Sequence, residues 1–240
     1  MSFKIGSVVV EARDGGCGVR LDGKPLHTPG RTLMLVPSEA LAAAIAAEWA
    51  AQSGAIRPDT MPMMQLAATA LDRIAPQRAQ VVDALVKYAE TDLLCHRADA
   101  PPVLVERQAR IWQPLLDWAA LRFDAALQVQ AGIMPRPQPE GAMRAVRTAV
   151  EAHDDMRLTA LQFACGGLGS IVLALALLDR RVDPEEAFEA AELDATFQIE
   201  KWGEDEEAAR RRASLRIDIR NASRFLDLLD GTPDRWAISS

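Results

Sequence analysis

The sequence predicts an α+β protein: a small N-terminal β-rich α+β domain over residues 1–75, then a larger all-α helical bundle domain over 76–240. Three observations carry this. Strand formers interrupted by Asp-Gly and Pro-Gly pairs are confined to residues 3–36, and such runs bounded by turn residues read as hairpins. Beyond about residue 40, alanine abounds and apolar residues recur at helical spacing. Residues 158–178, LTALQFACGGLGSIVLALALL, contain no charge and lie between Arg157 and Asp179, which predicts one buried helix at the centre of the bundle.

In chain order, the strands are FKIGSVVVEA, CGVRL, KPLHT and TLMLV, joined at Asp14-Gly15-Gly16, Asp22-Gly23 and Pro29-Gly30. Ser38 N-caps a helix over 39–52 that Gly54 ends, and Trp49 on its apolar side faces the sheet or the domain junction. An extended link, AIRPDTMP, leads to helices over 63–75, stopped by Pro76, and 78–95. After HRADAPP comes a long helix over 103–126 carrying Trp112 and Trp118, bent or restarted at Pro114. GIMPRPQPEG is an irregular connector to a helix over 139–152. Past the apolar helix, Asp183-Pro184-Glu185-Glu186 combines an N-cap, a first-position Pro and a third-position acid. It starts a helix running to Trp202-Gly203, and a final helix spans 204–229, closed by Gly231.

Composition removes several function classes. The chain is 49% hydrophobic and 25% charged, ordinary for a globular protein, and its formal charge of −7 disfavours binding to nucleic acid or an anionic membrane. The 158–178 run is long enough to cross a bilayer. Thr159, Gln162, Ser170 and the glycines at 166, 167 and 169 dilute it, however, and its flanks have no aromatic belt, so no stable membrane insertion is expected. Those glycines match no phosphate-binding loop, and their cost to a helix implies close packing or a kink. Cys17, Cys95 and Cys165 are odd in number and form no CxxC pair, and the N-terminus reads as neither signal nor transit peptide; a cytoplasmic protein with reduced thiols is expected.

Candidate chemistry is sparse. Asp92, Cys95 and His96 suggest a small hydrolase or metal-dependent enzyme, but adjacent helical side chains diverge and the ligand set is incomplete. His153-Asp154-Asp155 reads as a solvated helix end, and His27 has no evident partner. Two stretches suit a binding surface. The methionines of MPMM, Met63 and Met64 among them, adapt to an irregular apolar partner or fill a core. In ELDATFQIEKWGEDEE, Trp202 stands among Glu192, Asp194, Glu200, Glu204 and Asp205, either as an interface anchor or as a core residue beside a Gly turn.

The segments LDGKPLHTP, VPSEALAAAIAAEWAAQ, MPMMQLAATALD, YAETDLLCHRA, RQARIWQPLLDW and LDATFQIEKWGEDEE resemble, in order and over most of the chain, the assembly chaperones of the ATP synthase F(1) sector that attend its alpha subunit, the ATP12-type chaperones. The resemblance implies a non-enzymatic chaperone with an N-terminal α+β domain and a C-terminal helical bundle. It would bind the unassembled alpha subunit and shield the apolar surface that the beta subunit later covers, with no cofactor, nucleotide or metal. The family's acidic WG motif falls on Trp202, Gly203, Glu204 and Asp205, preceded by Gln198 and Glu200, and the resemblance implies a binding role for these residues. Trp49, in the EW motif, is implied to be architectural. The bacterial form lacks the mitochondrial presequence of its eukaryotic relatives, in keeping with the N-terminus.

Overall fold

The computed structural model describes residues 3–4, 6–131 and 136–232. The elements in chain order are β1 (Phe3–Lys4), β2 (Val8–Arg13), β3 (Gly16–Leu21), β4 (Lys24–Pro25), β5 (Leu35–Val36), α1 (Glu39–Ala50), β6 (Ser53–Gly54), α2 (Pro62–Thr69), α3 (Arg78–Tyr88), β7 (His96–Arg97), α4 (Pro102–Phe123), β8 (Gln130–Ala131), α5 (Glu140–Glu151), α6 (Asp155–Leu168), α7 (Ile171–Leu178), α8 (Pro184–Ala191), α9 (Leu193–Trp202) and α10 (Glu206–Leu229). The α+β class with a small N-terminal β region and a larger helical part holds. The backbone forms two compact units. The first takes Met1–Arg78, Asp155–Ala160 and Asn221–Ser240, and the second takes Ala79–Asp154 and Leu161–Arg220.

In the first unit β3 is the central strand, pairing antiparallel with β2, β4 and β5. Asp22 and Gly23 both have positive φ (50° and 77°), the conformation a two-residue hairpin turn needs, and Leu21 faces Lys24 across it. The Asp22 carboxylate then accepts the backbone N–H groups of Gly6 and Ser7, each at 2.8 Å. KPLHT and TLMLV pair less than expected, through β4, β5 and a single bridge between His27 and Leu33. Ser38 caps α1 by accepting the Leu41 N–H at 3.1 Å, and Leu41 and Ile45 are fully buried. The helix expected over 63–75 is α-helical only to Thr69. It widens into a π turn over Ala70–Ile74 and tightens into a 3₁₀ turn at Ala75–Gln77, where Pro76 ends the regular ladder.

Residues 158–178, expected as one buried helix, form two. Gly169 adopts φ 64°, ending α6, and the Ser170 hydroxyl accepts the Leu173 N–H to start α7. Every residue from Ile171 to Leu177 is buried, as suits a helix apolar on all sides. Gly167 answers the close-packing expectation, since a Cβ there would lie 2.8 Å from a Leu215 methyl. No described helix is long and apolar enough to cross a membrane. The long helix α4 continues through Pro114 and ends at Asp124, whose φ is 61°. Asp183 and Glu186 form the expected capping box, but the helix they start stops at Ala191, and α9 begins separately after Glu192. The connector at 132–141 lies partly outside the described residues.

Candidate partner-binding site

Segments distant in sequence are fastened by polar side chains, and this separates fasteners from free surface. In the first unit, both carboxylate oxygens of Glu48 accept backbone N–H groups, from Met63 and Met64, each at 2.8 Å. The acid thus satisfies orphan donors at the N-terminus of α2, and burial pushes its pKa up to about 6. Gln52, one turn on, accepts the Arg57 N–H and donates to Thr60 Oγ1. Asp72 accepts from Thr28 Oγ1 (2.7 Å) and the Gly30 N–H (2.8 Å). A Cβ at Gly30 would come within 2.6 Å of that carboxyl, so any side chain there would push Asp72 off these bonds.

Met63 and Met64 are 0% and 7% exposed, in the core of this unit. Their side chains therefore offer no surface to a partner, and their backbone N–H groups are taken by Glu48. Trp49 is half-buried beside Glu48 in sequence, and the anchoring in the EW pair comes from the acid. His27 is exposed, with Nδ1 3.0 Å from the Pro25 carbonyl, and Asp155 is held by Arg78 at 2.6 Å.

In the second unit Asp92 is fully buried. It accepts from the Ser170 hydroxyl (2.8 Å) and from the N–H groups of Leu94 (3.0 Å) and Val172 (3.2 Å), and burial raises its pKa to about 6. Burial and the nearby Asp92 charge push the Cys95 thiol up to about 12, so it stays protonated and poorly nucleophilic. His96 turns to Gln130, 3.3 Å away. These three residues therefore assemble no nucleophile and base, because Asp92 is consumed as a backbone acceptor. Among the described residues no group of three or more His, Cys, Asp or Glu side chains is placed to hold a metal.

Gln108 joins the other three motifs of this unit. Only 1% exposed, it accepts the Ala98 N–H and donates to Asp194, both at 2.8 Å. Trp112, fully buried, donates its indole N–H to the Ala190 carbonyl at 2.8 Å. Sequence reasoning missed Glu48, Asp72 and Gln108 as fasteners, because nothing local in the chain announces partners that lie from 10 to 86 residues away.

The end of α9 is built differently. Phe197 is buried, with the Arg107 guanidinium 5.4 Å and the Lys201 ammonium 4.4 Å from its ring centre. Arg107 forks onto Glu200 at 2.7 and 2.9 Å, and this hydrogen bond lowers the Glu200 pKa. Asp205 accepts the Ala208 N–H at 2.9 Å at the start of α10, and Glu204 meets Arg212 at 3.2 Å. Gly203, at φ 83°, ends α9. Gln198 is exposed, and Trp202 is 75% exposed. Of the two readings of Trp202, its position is that of a surface aromatic. Asp205 and Gly203 carry backbone geometry, Glu200 and Glu204 orient arginines, and Trp202 and Gln198 face outward. At the start of α4, one turn before Arg107, Val103 is 60% exposed.

A family profile described as ATP12 chaperone protein matches residues 3–120. The crystal structure of Atp12 from Paracoccus denitrificans is 41% identical and superposes with a TM-score of 0.90, covering 94% of this chain and 97% of that one. The Atu1473 protein of Agrobacterium tumefaciens is 38% identical, with a TM-score of 0.88, covering 94% of this chain and 84% of that one. The mitochondrial protein atp12 of Schizosaccharomyces pombe is 23% identical over 218 residues, 84% of this chain and 74% of the relative.

Proposed function

The chain belongs to the ATP12 chaperone family, and we propose on that premise that it binds the unassembled alpha subunit of the ATP synthase F(1) sector and shields its beta-facing apolar surface. As a member of that family it is an assembly chaperone of the ATP synthase F(1) sector. A binder of aggregation-prone surface competes with aggregation by mass action, and the larger subunit interface then displaces it. The acts required are binding and release, which call for no bound group of its own, and the bacterial cytoplasm, where the subunits are made, is the proposed site.

The observation that carries the binding site is Trp202, three-quarters exposed at the end of α9 beside the Arg107–Glu200 pair. Large exposed aromatics near oriented polar groups are the usual anchors of protein interfaces. Gln198, Glu200, Gly203, Glu204 and Asp205 form its surroundings, with Gly203 and Asp205 contributing through shape. The test is a pull-down from source-cell lysate with tagged protein, with Trp202→Ala as control bait. Recovery of the alpha subunit, reduced at least about tenfold by the substitution, is expected. Equal recovery with both baits would move the site elsewhere, and no alpha subunit with either would overturn the proposed client.

A further inference from the structure

Trp202 closes α9, and the turn that follows it is not fixed by packing. Gly203 has φ 83° and open space where a Cβ would lie, so no neighbour presses on the backbone there. A glycine turn of this kind has wide conformational freedom unless something spans it.

Arg212, in the second turn of α10, spans it. Its Nη2 donates to Thr196 Oγ1 on α9 at 2.9 Å, and its Nη1 donates to the Glu204 carboxylate, beyond the glycine, at 3.2 Å. One rigid, planar fork therefore bonds on both sides of Trp202 and Gly203, a geometry that a single ammonium does not supply. The fork is itself held. The Arg212 side chain is 16% exposed, its Nε lies 3.2 Å from the buried Glu192 carboxylate at the junction of α8 and α9, and its guanidinium is 5.5 Å from the ring centre of the buried Phe188. The far end of the turn is capped by Asp205, which accepts the Ala208 N–H. On the α4 side Arg107 grips Glu200, but that acid is about half exposed and water competes for it.

We propose that Arg212 is a positioning residue of the binding surface: by tying α9 to the residue beyond Gly203, it holds Trp202 in one outward orientation before the client arrives. Fixing a contact side chain in advance removes part of the ordering cost of association. This rests on the reading that Trp202 anchors the client subunit.

The full chain labelled with fluorotryptophan would be compared by fluorine NMR with Arg212→Gln and Thr196→Val, the second removing one acceptor while keeping the shape of the side chain. The Trp202 signal is the one that Trp202→Ala deletes. Both substitutions should shift and narrow it while the other tryptophan signals stay in place, which also reports an intact fold. If Arg212→Gln disturbs those other signals, Thr196→Val alone decides. Pull-downs would then compare alpha-subunit recovery by the unsubstituted chain, Arg212→Gln, Trp202→Ala and the double variant. Arg212→Gln should cut recovery about fivefold when Trp202 is present and less than about twofold when it is not, the non-additivity of a residue that acts through another. A Trp202 signal unmoved in both variants overturns the proposal whatever the pull-down shows, and so does an equal loss with and without Trp202. A moved signal with no alpha subunit recovered by any bait upholds the brace and sinks the client reading.

Discussion

Asp92 and Glu200 are both carboxylates that join helical segments, and they do so under opposite conditions. Asp92 is fully buried, accepts backbone and hydroxyl hydrogens, faces no cation among those bonds, and has its pKa pushed up to about 6. Glu200 has a half-exposed side chain, grips Arg107 with both oxygens, and has its pKa lowered. Water decides the difference. A buried acid deprived of its acceptor role leaves orphaned donors behind, whereas water takes over the partners of an exposed acid at once. Glu48 belongs with Asp92, since it too is buried and accepts backbone N–H groups from another segment. The surface around Trp202, where the bonds are replaceable, is the one proposed to meet a partner.

The comparison fails if removal of the buried acids is harmless. Asp92→Ala should cost about 3 kcal/mol, since it strands the Ser170 hydroxyl and two N–H groups in a dry interior. Glu48→Ala should cost about 2 kcal/mol by freeing the start of α2. Urea unfolding measures both, and losses below about 0.5 kcal/mol would mean the joints are not what holds these segments.

Acidity sharpens the contrast. The folded pKa of Asp92, about 6, lies above its ordinary value of 3.8, so between pH 7.5 and 5 the folded protein takes up a proton that the unfolded chain does not. Stability from this group therefore rises as pH falls, by roughly 1 kcal/mol over that window. Wild type should gain that amount relative to Asp92→Asn. A difference of opposite sign would show Asp92 fully content as an anion. The smallest expected effect on folding is that of Trp202→Ala, within about 0.5 kcal/mol, because a residue so exposed holds little together.

Legibility followed the range of the interactions. Local signals gave Asp22-Gly23, Ser38 and the Asp183–Glu186 box, because each is completed within a few residues. The break at Gly169-Ser170 was half-visible: three nearby glycines implied a kink or close packing, and the structure uses Gly169 for one and Gly167 for the other. Met63 and Met64 illustrate the opposite limit. Their composition suits a surface or a core equally, and burial is settled by packing within the first unit, where Glu48, 15 residues earlier, takes the Met63 N–H. At the candidate site the aromatic among acids was readable, whereas its exposure depended on where α9 ends and on Arg107, 93 residues from Glu200.

The Asp92–Ser170 hydrogen bond spans 78 residues. A ribosome adding roughly 5–20 residues per second needs several seconds to deliver the second partner after the first. Through that interval the carboxylate remains hydrated, and the helices preceding α7 lack the wholly apolar segment that completes their core. The bundle therefore closes only after most of the chain has been translated. A member of a family of assembly chaperones thus passes, while it is itself being synthesised, through a nascent state whose own apolar core is still open.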